Sequence, residues 1–474
     1  MVNFLDTRIC RWVAVIGGLV LFVLTATMNL GIIAIDDYAF VVAQIIPAQS
    51  NTSEAILKNT GVWHPILPYI LHLISEQALE FGITEPYRQL QVVLLFFGIT
   101  TFVIQVYTLP RFFSNVRQQN ISRLLLSFYF IAPLILTRLM IETAAAPLLL
   151  ISTYFAHRYF HEGKFSQLWL SILTLSVSAL VRYQTGVCIL ALVFLVATKR
   201  NLWHWFHFFG AGVSGFLLAG SIDWALTGQF HGSLEGYLNY NLIHSAANHG
   251  EQPFYTFLLL FVALTIPPSL ISRYAGFEFK KAYSPLCAPL SFFLMFVLAH
   301  TLTPHKEERF MIPVLPLFFI CLTPLIHYFT LTKKQAWRFW FVVPVNLILL
   351  FLTSFSTPQS NILGLVRYLD HTPYIKRVYS VLDTLVIFPS AFSSRSIEHV
   401  EMKLFDRESI QSISCSEVVA VRETYKRDSG VDFSHLTRLA SFKPGPLESI
   451  LVRLNPVRNA RRGTIDIFGR KGCE

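Results

Sequence analysis

The feature that most constrains this chain is a series of apolar runs, many of them close to twenty residues long, that recur through the first three quarters of its 474 residues. A helix needs roughly 20 residues to cross a ~30 Å hydrocarbon core. Eleven runs stand out, near residues 12–34, 89–109, 124–137, 143–156, 165–181, 185–198, 202–221, 254–272, 285–303, 311–330 and 338–356. With 53% hydrophobic and only 14% charged residues, the composition excludes a single soluble globular domain. The expected fold is an all-α polytopic membrane bundle of about eleven transmembrane helices over residues 1–356, followed by a small soluble domain over 357–474. The first run, Trp12 to Ile33, outlasts a secretory h-region and lacks a small-residue cleavage site before Asp36, so it is expected to be retained as a helix.

Charge placement orients the bundle. With the amino terminus inside, alternate connections place fifteen Lys and Arg on the inner side, among them Arg8, Arg11, Arg158, Lys199, Arg200, Lys333 and Lys334. The opposite connections hold six: Lys58, Arg88, Arg138, Arg182, Lys306 and Arg309. This bias follows the positive-inside rule and accounts for the net charge of +10 without invoking nucleic acid. Twelve carboxylates, including Asp36, Asp37, Glu142, Asp223, Glu307 and Glu308, gather on the outer side. Acidic residues contribute little to insertion, so their clustering points to a polar, outward-facing site.

An odd number of spans puts the tail outside as a small α/β or β domain. His399–Leu404, Glu417–Arg422, Glu448–Leu454 and Gly463–Phe468 read as strands. None of the six cysteines forms a CxxC pair, so no metal site is indicated. Cys415 and Cys473 would share an oxidising compartment, but Cys473 lies one residue from the terminus, and this favours two free thiols over a bond.

Several polar groups sit where chains leave or re-enter apolar stretches. Asp36 and Asp37 follow the first run directly. A neighbouring like charge and partial desolvation raise one carboxylate pKa toward the range of a general base, although a solvated helix end reads equally well. Trp63 offers a face for a sugar, or an interfacial anchor, and His64 reads as structural. Arg138 and Glu142 are four apart on one helical face and can pair with each other. Arg182 has no acid nearby in sequence and needs a carboxylate or a ligand phosphate from elsewhere. The polar stretch 223–253, with Asp223 and Asn241, is longer than a connection requires. The most specific segment is His305-Lys306-Glu307-Glu308-Arg309, five ionisable residues between two apolar spans. They must pair, snorkel or face an aqueous cavity, and a lipid phosphate would suit Lys306 or Arg309.

His305 through Phe310, followed by Pro313, resembles the HKEERF signature of glycosyltransferase family 22, the mannosyltransferases of dolichol-linked and GPI-anchor glycan assembly and their bacterial relatives. Asp36-Asp37 resembles the family's early DE pair, and Pro47-Ala48-Gln49 its PAH. Thr137-Arg138 to Glu142-Thr143 is similar to its SR to ET segment, Arg182 to the Arg of RPTA, Asp223 to Gly228 to its D-to-G loop, and Gly250 to Phe254 to YGxHPW. Asp37 stands where Glu is usual, Gln252 and Phe254 replace His and Trp, and Tyr183-Gln184 replaces Pro-Thr. These departures mark a divergent branch, with a bacterial origin left open.

The resemblance implies a GT-C fold with its active site at the outer, periplasmic or luminal, surface. It also implies an inverting transfer of a sugar, mannose foremost, from a polyprenyl-phosphate donor to a lipid-linked or glycan acceptor. In that reading Asp36, or Asp37, takes the acceptor proton, and Arg182, His305, Lys306 and Arg309 hold the donor phosphate. Trp63, Arg138, Glu142, Asp223, Asn241, Glu307 and Glu308 line the substrates. No cofactor is required, and a divalent metal stays possible without being indicated. Membrane lipids are the expected surroundings. A transporter or flippase of lipid-linked sugars, and a non-catalytic subunit on the same fold, are the alternatives.

Overall fold

The computed structural model describes residues 4–33, 38–46, 56–57, 63–243, 250–266, 276–332, 336–381, 392–402, 413–426, 433–457 and 459–473. Asp36 and Asp37, and the Pro47-Ala48-Gln49 triplet, lie outside them. Among the described residues six helical stretches are long and apolar enough to cross a membrane: Arg8–Met28, Pro86–Phe112, Leu202–Thr227, Phe279–Thr301, Glu308–Leu331 and Trp340–Asp370. Two shorter apolar ones, Phe165–Val181 and Tyr183–Ala197, adjoin each other. The chain is an integral membrane protein, but the expected count of eleven spans rests on runs that do not all become full-length apolar helices. The run at 124–137 is split into helices Val116–Phe128 and Ala132–Leu136, where Pro133 cannot continue the preceding hydrogen-bond ladder. A helix over Ile66–Glu80 also stands in what the sequence presents as one outer connection.

The chain divides into two compact units. The first comprises Met1–Leu24, Ser53–Tyr69 and Leu95–Leu350. Small residues let its helices approach closely, as expected where no water drives them together. Ser152 and Ser171 each donate to the other's carbonyl, at 2.8 and 2.9 Å, and clamp the Ile141–Glu162 helix to Phe165–Val181. A Cβ on Gly215 would come within 2.2 Å of Ser176 Oγ, so this crossing accepts no side chain. Gly163, with φ +70°, ends the Ile141–Glu162 helix and turns the chain back within two residues.

The second unit comprises Thr25–Thr52, Ile70–Leu94 and Phe351–Glu474. Asn29 Nδ2 faces the carbonyls of Thr353, Ser354 and Ser356 at 3.1–3.3 Å, which ties the end of the first helix to the end of Ala336–Phe355. Beyond that point stands a five-stranded sheet of β1 (Arg377–Val381), β2 (Glu398–Met402), β3 (Glu417–Arg422), β4 (Leu436–Phe442) and β5 (Ile465–Arg470), ordered β2-β1-β3-β5-β4. β1 runs parallel to β2 and β3, and β5 runs antiparallel to β3 and β4. Ile362, Leu365 and Leu369 of the Ser360–Asp370 helix cover one face, against Val378, Val418, Ala420 and Ile467. Val381, Val419, Val421 and Phe468 form a core on the other.

Two expectations for the tail are corrected. Residues 448–454 are not a strand but part of the helix Pro446–Leu454. Leu447, Ile450, Leu451 and Leu454 follow the spacing i, i+3, i+4, i+7, and Pro446 occupies the first turn, where its missing N–H costs nothing. Cys415 and Cys473 are joined, with Cα atoms 5.3 Å apart, rather than free. The antiparallel register pairs Val419 with Phe468 and so carries the residues just before β3 alongside those just after β5. Proximity to the chain end was a poor guide because the last strand is internal to the sheet.

Candidate active site

The hairpin of Ile141–Glu162 and Phe165–Val181 sets the centre of the site. It brings the first turn of one helix beside the residue that caps the end of the other. Glu142 Oε1 lies 3.1 Å from Arg182 Nη2, and both side chains are almost wholly buried. Each charge suits its helix end, a carboxylate at an amino terminus and a guanidinium at a carboxyl terminus. Arg182 therefore finds the carboxylate that its own stretch lacks. Its guanidinium also lies over the rings of Trp63, at 4.9 Å, and Phe310, at 5.3 Å. Arg138, buried one turn before Glu142, donates from Nη2 to Thr137 Oγ1 at 3.1 Å.

The segment 303–310 is a braced loop. Lys306, 2% exposed, donates to the carbonyls of Gln252 and Thr303. The backbone N–H of Gln252 donates to Pro304 O at 3.1 Å, and His305 Nδ1 is 3.2 Å from Gly250 O. Residues 250–252 and 303–306 are thus stitched together by three contacts. Glu307 spans His305 and Arg309, with Oε1 2.9 Å from His305 Nε2 and Oε2 accepting from Arg309 Nε at 2.6 Å. Both ring nitrogens of His305 thus lie within hydrogen-bond distance of an oxygen. Glu308 is exposed and begins the short helical turn Glu308–Val314.

Asp223, fully buried near the end of Leu202–Thr227, accepts from Ser233 N at 2.9 Å and Ser233 Oγ at 2.7 Å. Its Oδ1 is 3.3 Å from His64 Nε2. His64 Nδ1 accepts the N–H of Ile66 at 3.1 Å, which leaves the neutral ring's proton on Nε2, toward the carboxylate. Burial holds the His64 pKa well below the usual imidazole range, against the opposing pull of Asp223.

Trp63 and Tyr183 both neighbour Tyr237, with ring centroids 6.1 and 4.9 Å away. Asn241 is exposed on the Gly232–Ile243 helix and donates to Tyr237 O within it. In the sequence His64 reads as structural, Tyr183 enters only as a departure from the family motif, and Tyr237 and His300 belong to no motif. His300 is a buried imidazole with Nδ1 2.8 Å from Phe296 O, and a lone histidine inside the apolar run 285–303 was the available signal. Among the described residues no three His, Cys, Asp or Glu side chains come together as a metal centre would need.

The fold is shared with ArnT from Cupriavidus metallidurans. Against its structure bound to undecaprenyl phosphate the TM-score is 0.57, with 12% identity over 97% of this chain and 98% of that one. Against the apo structure the TM-score is 0.59, with 11% identity over 98% of each. These likenesses define the class, a polytopic membrane protein of the GT-C fold. The description "Alg9-like mannosyltransferase family" belongs to the family model that matches residues 60–391, and the chain is a member of that family. GPI mannosyltransferase 4 of Candida albicans is 28% identical over 215 residues, 43% of this chain, and the match spans only 40% of that relative's length.

Proposed function

We propose that this protein is an inverting mannosyltransferase that moves mannose from a polyprenyl-phosphate donor to a lipid-linked or glycan acceptor at the outer face of its membrane. The observation that carries the reading is the Glu307 bridge, which holds His305 and Arg309 side by side in the family's most specific motif. A phosphate monoester leaving group gathers negative charge as the glycosidic bond breaks, and preorganised cations stabilise that charge without reorganising. Arg309, His305 and Arg182 are assigned to this task. Lys306, spent on two carbonyls, positions the loop that presents them. Trp63 and Tyr237 provide faces for a sugar, and Arg138, Glu142, Asp223, Asn241 and Glu308 contribute polar contacts around it. Asp36, with Asp37 as the alternative, accepts the proton of the attacking hydroxyl, and a single displacement inverts the anomeric carbon.

The undecaprenyl phosphate in the ArnT structure supports a polyprenyl carrier for the donor, and the family description supports mannose. The bias of basic residues toward one side supports an outer, periplasmic or luminal, site. The test is mannose transfer from polyprenyl-phosphate mannose by protein in vesicles. Asp36→Asn should reduce turnover by roughly 10²- to 10⁴-fold with donor binding retained. Undiminished turnover in both Asp36→Asn and Asp37→Asn would overturn the assignment of the base.

A further inference from the structure

We infer that the Pro446–Leu454 helix is an interfacial anchor, lying on the membrane surface and recognising anionic phospholipid head groups. The first observation is where it starts. Leu447 N donates to Ser356 Oγ at 3.0 Å, Gln359 N donates to Glu448 Oε2 at 2.9 Å, and Ser360 Oγ reaches Lys443 O at 3.3 Å. A Cβ on Gly445 would meet Thr357 O at 2.9 Å. Residues 356–360 follow directly on the Ala336–Phe355 membrane helix, and Asn29 ties that same exit to the end of the first membrane helix. The helix therefore starts beside the end of the Ala336–Phe355 helix.

The second observation is what it exposes. Glu448, on its inward side, is buried, while Ile450, Leu454 and, just past its end, Val457 are 45%, 77% and 87% exposed. Among the described residues none of these three side chains belongs to either sheet core. At a bilayer surface an amphipathic helix buries such a face among the upper acyl chains.

The third is charge. Arg453 on the helix and Arg461 just beyond it are exposed, and the helix's one acid, Glu448, is buried with its Oε1 3.5 Å from Arg462 Nε. Apolar side chains flanked by arginines at a membrane exit match an anionic lipid surface better than a protein partner, because basic side chains gain from the surface potential while the stripe gains from the acyl region.

The test uses the full chain in vesicles, with Cys10, Cys188, Cys287 and Cys321 replaced by Ala and an environment-sensitive fluorophore attached through Leu454→Cys. In vesicles containing phosphatidylglycerol the emission should shift to the blue and be quenched by lipids brominated on their acyl chains. Arg453→Gln with Arg461→Gln should weaken the quenching, and high salt should do the same. A second label through Val457→Cys, outside the helix, keeps the test open if the first substitution impairs folding. Solvent-like emission at both positions overturns the proposal. Equal quenching in neutral and anionic vesicles overturns the recognition of anionic lipid. A blue shift without bromine quenching assigns the stripe to a protein contact instead, and the proposal fails.

Discussion

Glu142 and Arg182 meet 3.1 Å apart at opposite ends of two clamped helices, each offsetting a charge that the other's surroundings shut off from water. Removing one partner of such a pair leaves the other buried and uncompensated, at a cost of about 3–5 kcal/mol. Glu142→Ala and Arg182→Ala are each expected to lower stability by that order, and the double variant by clearly less than the sum. A double-mutant cycle from denaturant unfolding in detergent measures the coupling. Additive losses would mean that the two side chains do not depend on one another.

Lys306 and Glu307 are neighbours with separable roles. Lys306→Met removes two charge-assisted bonds to carbonyls, each worth about 1.5–3 kcal/mol, and should speed amide exchange across 250–253. Glu307→Gln leaves those bonds intact but releases Arg309 and His305. It should cost roughly 10²-fold in turnover through misplacement alone, with the unfolding transition nearly unchanged. Steady-state kinetics and exchange on both variants distinguish the loop's brace from its working face.

Acid should weaken the fold around His64. Its folded pKa is depressed by burial, so the unfolded chain takes up the proton first. This contribution is present above an unfolded value near 6.5 and is lost as pH falls toward the lower folded value. His64→Gln should flatten the decline in stability below about pH 6.5 that the unaltered protein shows. Unfolding midpoints of both proteins between neutral and acidic pH provide the check, and parallel curves would count against a buried neutral ring.

The Cys415–Cys473 bond closes a separation of 58 residues, and the loop-entropy relation assigns such a closure about 4 kcal/mol. Reduction, or Cys473→Ser, should lower the thermal midpoint of the C-terminal sheet. The mass of the protein without reductant should be two hydrogens short of the reduced form. A mass equal to that of the reduced form would show the thiols to be free.

The membrane class, the runs that become helices and the HKEERF loop were legible in the sequence because each depends on local composition: hydropathy over some twenty residues, or six consecutive side chains. Arg182's need for a carboxylate was legible too, since a guanidinium at membrane depth demands a partner. That the partner is Glu142 was not, because the choice depends on how two helices cross, and Ser152 and Ser171 set that crossing through reciprocal bonds. In the sequence Lys306 suits a phosphate, but in the fold the carbonyls of Gln252 and Thr303 occupy it. The helix at 446–454 carries its own 3.6-residue spacing, which a strand does not. The Cys415–Cys473 bond follows from the register of β3 on β5. By itself, then, the sequence determined the solvent in which this chain folds and the residue types it brings to its site. The tertiary structure decided which of those groups are spent on one another, because a buried charge or donor takes its partner from whatever backbone or side chain packing places within about 3 Å of it.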